Sequence, residues 1–361
     1  MLVDEFDYHL PPELIAQGPL VPRDASRMMV LEREAGAFTD QVFQDLAQVL
    51  EAGDLLVLNN TKVFPARLLG RRQGLHSQPV GNCNPAAREF LKGEVELLLT
   101  RQEGGDVWEG LVHPGRKVRT GERLLFGEGE LEAEVIGRGA YGVRRVRLRA
   151  PKGPVEDAID CLGHVPLPPY IRRADESQDR DTYQTIYAKV RGAVAAPTAG
   201  FHFTERIMKS LCGRGIETCE ITLHVGLGTF QPVRVEHVED HKMDAERFEI
   251  SESAAVALNA ALDEDRRIIA VGTTSLRALE HVGREHDGRI EPGKGETSLF
   301  VYPGYRFRVI RGLLTNFHLP RSTLLMLVSA WAGRDLTFRA YRHAVQERYR
   351  FYSYGDCMLV L

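Results

Sequence analysis

The sequence is poor in cysteine and has no long apolar run. Its five cysteines, Cys83, Cys161, Cys212, Cys219 and Cys357, are scattered over 361 residues. An odd, dispersed set argues against a disulfide framework and for a reducing compartment. There is no C-x-x-C, no H-E-x-x-H and no Asp-rich calcium loop, and Cys212 and Cys219 have the wrong spacing for a zinc knuckle. The histidines do not cluster at ligand spacing, so no metal is expected. The uncharged run from Ser322 to Gly333 is too short to span a bilayer. The opening residues, M-L-V-D-E-F-D-Y, are acidic and contain no apolar stretch, so a secretory signal is not expected. A cytoplasmic monomer with no membrane association is the expectation.

What is present is an ordinary globular composition, 43% apolar and 27% charged, long enough for one or two domains. The net charge of −4 argues mildly against nucleic acid as a partner. The charge is uneven, however. From Pro114 to Lys152 ten Lys or Arg stand against five Glu. Within that stretch V-R-R-V-R-L-R alternates, which puts Arg145, Arg147 and Arg149 on one face of a strand. Such a stripe either follows phosphates or is a solvated strand face.

Residues 54–58 read as a buried strand, and 71–90 have the composition of a flexible linker. From Gly93 to Ala150 five or six short apolar stretches alternate with glycines, the pattern of a small antiparallel barrel. Helices are expected at Val155–Leu162, Asp181–Ala188, Thr204–Arg214, Glu252–Asp265, Ser275–Glu285 and Leu336–Arg348. Strands are expected at Glu217–Val225, Arg267–Val271, Ser298–Phe300 and Val309–Leu313. The fold class is therefore α/β (mixed α+β), with a main domain formed by 1–69 plus 151–361. The barrel, 70–150, is inserted into it.

Chemistry concentrates between Gly192 and Val233, where G-A-V-A-A-P-T-A-G-F-H-F-T is followed by T-L-H-V-G-L-G-T-F-Q-P-V. Gly200, Gly226 and Gly228 let backbone approach a ligand. His202 and His224 exchange protons near neutral pH. Thr198 and Thr229 add hydroxyls. At R-I-I-A-V-G-T-T-S-L-R a strand runs through Gly272 into a helix whose free N–H groups suit an anion. Thr273, Thr274 and Ser275 either cap it or bind that anion, and Arg277 is placed to pair with a carboxylate. Neither a P-loop nor a G-x-G-x-x-G fingerprint is present. Asn316 and His318, in T-N-F-H-L-P, stand on a loop before an apolar helix, where sites are often carried. Asn59, Asn60 and Thr61 follow a strand end and either meet a ligand or form a turn. His241 and Glu246 form an acid/base pair or a surface turn. In Y-R-F-Y-S-Y-G-D, Arg350 and Tyr352 offer charge and a stacking face for RNA, against simple packing of the tail.

Taken in order, these segments resemble the S-adenosylmethionine:tRNA ribosyltransferase-isomerase family of queuosine biosynthesis. The resemblance runs from E-F-D-Y-H-L-P-P-E-L-I-A at Glu5 through L-V-L-N-N-T-K-V-F-P-A-R, G-H-V-P-L-P-P-Y-I, Y-Q-T-I-Y-A and the motifs above to the last aromatics. It implies an α/β fold with an inserted β-barrel. It also implies a reaction in which S-adenosylmethionine is consumed as a ribosyl donor, with no bound cofactor. The acceptor would be 7-aminomethyl-7-deazaguanine at the wobble position of tRNA, and the products epoxyqueuosine, adenine and methionine.

On that chemistry a base must remove a proton from the carbon beside the sulfonium. Residue type nominates His202 or His224, with His318 as a second proton-transfer group. The methionine carboxylate is assigned to the Gly272–Arg277 helix start, and the nucleoside to Thr198, Gly200, Gly226, Gly228 and Thr229. Two departures stand out: the family often has histidine where this chain has Asp244, which is left out of the catalytic set, and the 71–90 linker is longer than usual. The rival readings are an S-adenosylmethionine-dependent methyltransferase, which would release S-adenosylhomocysteine, and a non-catalytic RNA-binding module, which would be indifferent to loss of His202 and His224.

Overall fold

The computed structural model describes residues 1–73, 93–115, 118–139, 142–226, 228 and 233–361. Most of the expected linker and Thr229 lie outside the described residues. The chain opens with β1 (Arg27–Glu32) and β2 (Ala37–Val42), an antiparallel pair. Next comes β3 (Leu55–Asn59), whose five residues are all buried, as a strand covered on both faces must be. A short β4 (Thr61–Val63) leads into the barrel.

The barrel strands are β5 (Arg67–Arg72), β6 (Glu94–Gly104), β7 (Val107–His113), β8 (Arg123–Phe126), β9 (Leu131–Arg138) and β10 (Val143–Arg149). They close in the order β10-β7-β6-β5-β8-β9, every contact antiparallel. Closure leaves no strand edge to pair with another chain. The alternating pattern of β10 does what its sequence foretold: Arg145, Arg147 and Arg149 are exposed, while Val146 and Leu148 enter the barrel core with Leu97, Trp108 and Phe126. Ile159, on the helix Val155–Leu162, seals one end of that core.

The chain leaves the barrel through β11 (Val190–Ala193), which pairs in parallel with β4. It then completes the main sheet with β12 (Glu217–Leu223), β13 (Glu246–Ile250), β14 (Ile268–Val271), β15 (Gly293–Thr297), β16 (Gly312–Asn316) and β17 (Cys357–Val360). The nine-stranded order is β15-β13-β12-β3-β14-β16-β17-β1-β2. Its centre, β12, β3, β14 and β16, is parallel. The carboxyl ends of those strands therefore lie along one edge, where open α/β sheets bind ligands. Helix Thr323–Ala332 is apolar on nearly all sides and correspondingly buried, and Ser322 caps it by accepting from Leu325 N–H.

Three expected elements differ, each for a local polar reason. Only one turn, Asp179–Thr182, forms in the expected helix Asp181–Ala188. The Arg23 guanidinium takes the carbonyls of Asp181, Thr182 and Gln184 that a longer helix would need. No strand forms at Ser298–Phe300: Leu299 gives its N–H to Thr297 Oγ1 and its carbonyl to Arg277 Nε. The strand expected at Val309–Leu313 begins at Gly312. The buried Glu280 carboxylate collects the N–H groups of Arg308, Val309 and Ile310, removing them from any ladder.

The joint between barrel and sheet is backbone-tight at Gly163. A Cβ there would lie 2.0 Å from the Pro65 carbonyl oxygen and 2.5 Å from that of Ile159. Gly163→Ala should therefore destabilise the protein by about 1–3 kcal/mol. Gly213→Ala, at a helix end with nothing within 4 Å, should be neutral or slightly stabilising. Thermal unfolding of the two variants separates them, and equal midpoints would contradict this account.

Candidate active site

One cleft opens at the carboxyl edge of the parallel strands. Its walls include Thr198, Gly272, Thr273, Thr274, Asn316, His318 and Tyr352. None of its lining side chains is a carboxylate, lysine or arginine. The strand ends deliver the main parts: β14 ends at Val271 just before Gly272, and β16 ends at Asn316, two residues before His318.

Gly272 has φ +91°, a conformation L side chains rarely adopt, and it starts helix Thr273–Glu285. No side chain caps that helix. Its first two residues, Thr273 and Thr274, line the cleft, which therefore lies at the positive end of the helix dipole. Ser275 is not part of this anion cradle, because its hydroxyl donates to the Val271 carbonyl (2.9 Å) inside the helix. Arg277 is not a free clamp either. It is 3% exposed, ion-paired with Glu246, and gives Nε to the Leu299 carbonyl. Glu246 also accepts the Gly226 N–H (2.9 Å), so it serves neither a surface turn nor an acid/base pair with His241.

Asn316 is the hub. Its Oδ1 accepts from Thr198 Oγ1 (3.2 Å), and its Nδ2 lies 3.2 Å from His202 Nε2 and 3.5 Å from the Asp356 carbonyl. A carbonyl only accepts, so Nδ2 must face it, and the same group donates to His202 Nε2. His202 then carries its proton on Nδ1 and donates to Ser26 Oγ (2.7 Å). His202, 3% exposed, thus stands behind the cleft with its lone pair in use. It positions Asn316.

His318 does line the cleft. Its Nε2 meets Thr315 Oγ1 at 2.9 Å, its N–H donates to Tyr341 Oη at 3.0 Å, and its carbonyl accepts from Tyr8. His224 is bound to Thr61 Oγ1 (2.8 Å) and lies outside the cleft lining. The histidines therefore do not share one cavity, and only His318 faces it.

The expected glycine openings have other occupants. A Cβ at Gly200 would lie 2.0 Å from Tyr187 Oη, and one at Gly228 2.8 Å from an Asp244 carboxylate oxygen. These glycines make room for neighbouring side chains rather than for a ligand. Tyr352 is 6% exposed and edge-on to Tyr170, so it is a cleft wall and not an exposed stacking face. Its φ of +75° is a strained value for a large residue, of the kind found where a site dictates backbone. On the barrel, Arg145 is paired with Glu103, and Arg147 with Asp106 and Glu134. Asn59 both makes the turn and joins strands: its Oδ1 accepts the Thr61 N–H (3.2 Å), while its amide exchanges hydrogen bonds with the Leu223 backbone and reaches Thr274 Oγ1. Leu324, Thr315 and Ser353 also line the cleft; the last two lie in segments the sequence singled out, although neither residue was nominated. Among the described residues, no group of three or more His, Cys, Asp or Glu is arranged to hold a metal, and no helix is long and apolar enough to cross a membrane.

A largely apolar cleft with a few convergent polar groups and an imidazole on one wall, at the carboxyl edge of a parallel sheet, is where an enzyme of this architecture binds a small molecule. The sequence model of the queuosine biosynthesis protein family matches residues 3–360. The chain is 54% identical to the S-adenosylmethionine:tRNA ribosyltransferase-isomerase of Solibacter usitatus and 52% identical to that of Moorella thermoacetica, with both chains fully covered in each case. It is also similar to the crystal structure of S-adenosylmethionine tRNA ribosyltransferase from Thermotoga maritima, at 36% identity and a TM-score of 0.54, over 99% of this chain and all of that one. The chain belongs to the queuosine biosynthesis protein family.

Burial pushes His202 and His318 down to about 3 and His224 to about 4, from an ordinary 6.5. Desolvation of the charged ring is the main cause, and nearby guanidiniums add to it for His202 and His224. Above pH 6.5 all three are neutral in both folded and unfolded chains. As pH falls below that value, the unfolded chain takes up protons the folded one refuses. Stability is therefore full above about pH 6.5 and is lost progressively towards pH 3. His202 and His318 should each add a slope of about 1.4 kcal/mol per pH unit within that window. Urea unfolding should show the slope and its reduction in His202→Gln, whereas stability that rises on acidification would refute the assignment.

Proposed function

We propose that this protein transfers and isomerises the ribosyl moiety of S-adenosylmethionine onto 7-aminomethyl-7-deazaguanine at the wobble position of tRNA. Epoxyqueuosine forms, and adenine and methionine leave. The observation that carries the reading is a single cleft in which an uncapped helix start and a neutral imidazole face the same space. The donor brings a carboxylate and a sulfonium, and the cleft has a place for each. The carboxylate suits the N–H groups of Thr273 and Thr274 at the positive end of the helix. The sulfonium meets no cationic side chain on the lining.

The sulfonium acidifies the adjacent ribose carbon. His318, neutral and on the wall, is the group we assign to accept that proton. Thr198 and Asn316, held as a unit, hydrogen-bond the nucleoside. His202 holds Asn316, and His224 holds Thr61 against β11. The acceptor amine must arrive neutral, since an ammonium has no lone pair with which to attack. The enzyme needs no bound cofactor on this reading, acts as a cytoplasmic monomer, and engages the anticodon arm.

Incubation with S-adenosylmethionine and tRNA carrying the aminomethyl base should release adenine and methionine in equal amounts. Release of S-adenosylhomocysteine would instead establish methyl transfer, and release of nothing would leave only an RNA binder. His318→Gln should keep donor affinity within about threefold and lower turnover by about 10²–10⁴-fold. Unchanged turnover with weakened donor binding would reduce His318 to a pocket wall.

A further inference from the structure

Beside the main cleft lies a second, smaller hollow, lined by Pro19, Leu20, Arg23, Arg350 and Tyr354 and backed by His202. Ser353 lines both spaces, and the hydrogen bond between His202 and Asn316 ties their walls together. Neither of the two arginines has a carboxylate partner among the described residues, a trait shared with the buried Arg144 on the barrel. Most of the protein's buried or half-buried guanidiniums meet a carboxylate, as Arg72 meets Glu122, Arg267 meets Asp54 and Arg277 meets Glu246. Arg23 gives its N–H groups to three main-chain carbonyls. Arg350 gives Nη2 to the Gly18 carbonyl, and its Nη1 is buried with no partner.

Two positive charges beside one hollow, one with an orphaned donor, leave the free protein with an unmet demand for an anion. A buried N–H without an acceptor is costly, and an arriving oxyanion would supply the missing acceptor. The wall between hollow and cleft stays neutral, because burial and these same two guanidiniums keep His202 unprotonated. The hollow thus offers charge-assisted hydrogen bonds, and the nearby Asp356 carboxylate is already held by the Arg27 and Arg350 main-chain N–H groups.

We infer that Arg23 and Arg350 bind a backbone phosphodiester of the nucleic-acid substrate, next to the nucleotide whose base enters the main cleft. This rests on the tRNA reading above. It makes the hollow a register device. A phosphate held there sets how far the neighbouring nucleoside reaches past Ser353 into the cleft. The methionine carboxylate of the donor is the other anion in the reaction, and the experiment tells the two apart.

The probe is a short anticodon stem–loop carrying the aminomethyl base, titrated by fluorescence anisotropy over a range of salt concentrations. Donor affinity is measured separately by calorimetry. For Arg350→Gln and Arg23→Gln, stem–loop affinity at low salt should fall about tenfold. The slope of log affinity against log salt should shrink by about 0.7 per arginine, with donor affinity unchanged. Arg350→Lys should restore the slope, which a purely structural role would not require. Methylphosphonate substitution, one position at a time, gives a test that does not depend on the variants folding. One neutralised phosphate should weaken binding to the unaltered protein and have little further effect on Arg350→Gln.

Unchanged stem–loop affinity and salt slope in both variants, with turnover by the unaltered protein intact, would overturn the inference alone. Loss of donor affinity in place of stem–loop affinity would also overturn it and give the hollow to the methionine carboxylate. Failure of the unaltered protein to release adenine with the stem–loop would bring down the tRNA reading itself, and this inference with it.

Discussion

Two asparagine amides at the ends of parallel strands hold the cleft in shape. Asn59 closes the seam between β3 and β12 and supports Thr274. Asn316 joins the Thr198 turn, His202 and the Asp356 carbonyl. A buried amide has four hydrogen-bonding demands, and leaving one unmet costs as much as losing a good contact. Once both amides are satisfied internally, the groups around them have one arrangement each. The turn at Thr198, the tautomer of His202 and the start of helix Thr273–Glu285 all follow. The cleft is thereby built before a ligand arrives, which is what orientation in catalysis requires.

Charge is kept off the cleft lining and placed around it. The one strong cation near the helix start, Arg277, is cancelled by Glu246. What remains is a helix dipole, neutral imidazole and amide groups, and an aromatic wall. Such a lining accepts a zwitterionic cationic ligand without repelling its sulfonium. A fixed carboxylate would bind the cation more tightly in the ground state, yet that binding would be lost as the sulfonium departs as neutral sulfide. Binding that weakens towards the transition state works against rate. On the assignment proposed above, a lining that holds the donor by its carboxylate, far from the reacting carbon, avoids that penalty.

How much was legible in the sequence depends on how local the determinant is. The barrel could be read because period-2 alternation is a property of adjacent residues, and β10 shows it without exception. The helix start at Gly272 could be read for the same reason, since strand, glycine and hydroxyls are contiguous. The roles of Gly200 and Gly228 could not, because a glycine that clears a path for Tyr187 or Asp244 looks the same in sequence as one that clears a path for a ligand. Arg277 was misread because its partner Glu246 is remote in sequence. The strand displaced to Gly312–Asn316 was missed because Glu280, on another element, claims the preceding N–H groups. His202 and His318 looked alike in sequence and part company only through Asn316 and Thr315. The family motifs marked which segments matter, but not which side of each wall a residue stands on.

The same distinction explains how a protein of net charge −4 is suited to a polyanion. Total charge governs solubility and long-range approach, whereas docking depends on cations that are free to exchange counterions for phosphates. On the barrel stripe, Arg145 and Arg147 already hold carboxylates, so a phosphate there must first displace Glu103, Asp106 or Glu134. Exposed pairs of this kind are worth roughly 0–1 kcal/mol, so exchange is feasible but brings little net gain. Arg23 and Arg350 have no such competitor, and they sit against the cleft instead of on a distant surface. On the inference above, these two guanidiniums set the register of the substrate rather than the bulk of its attraction.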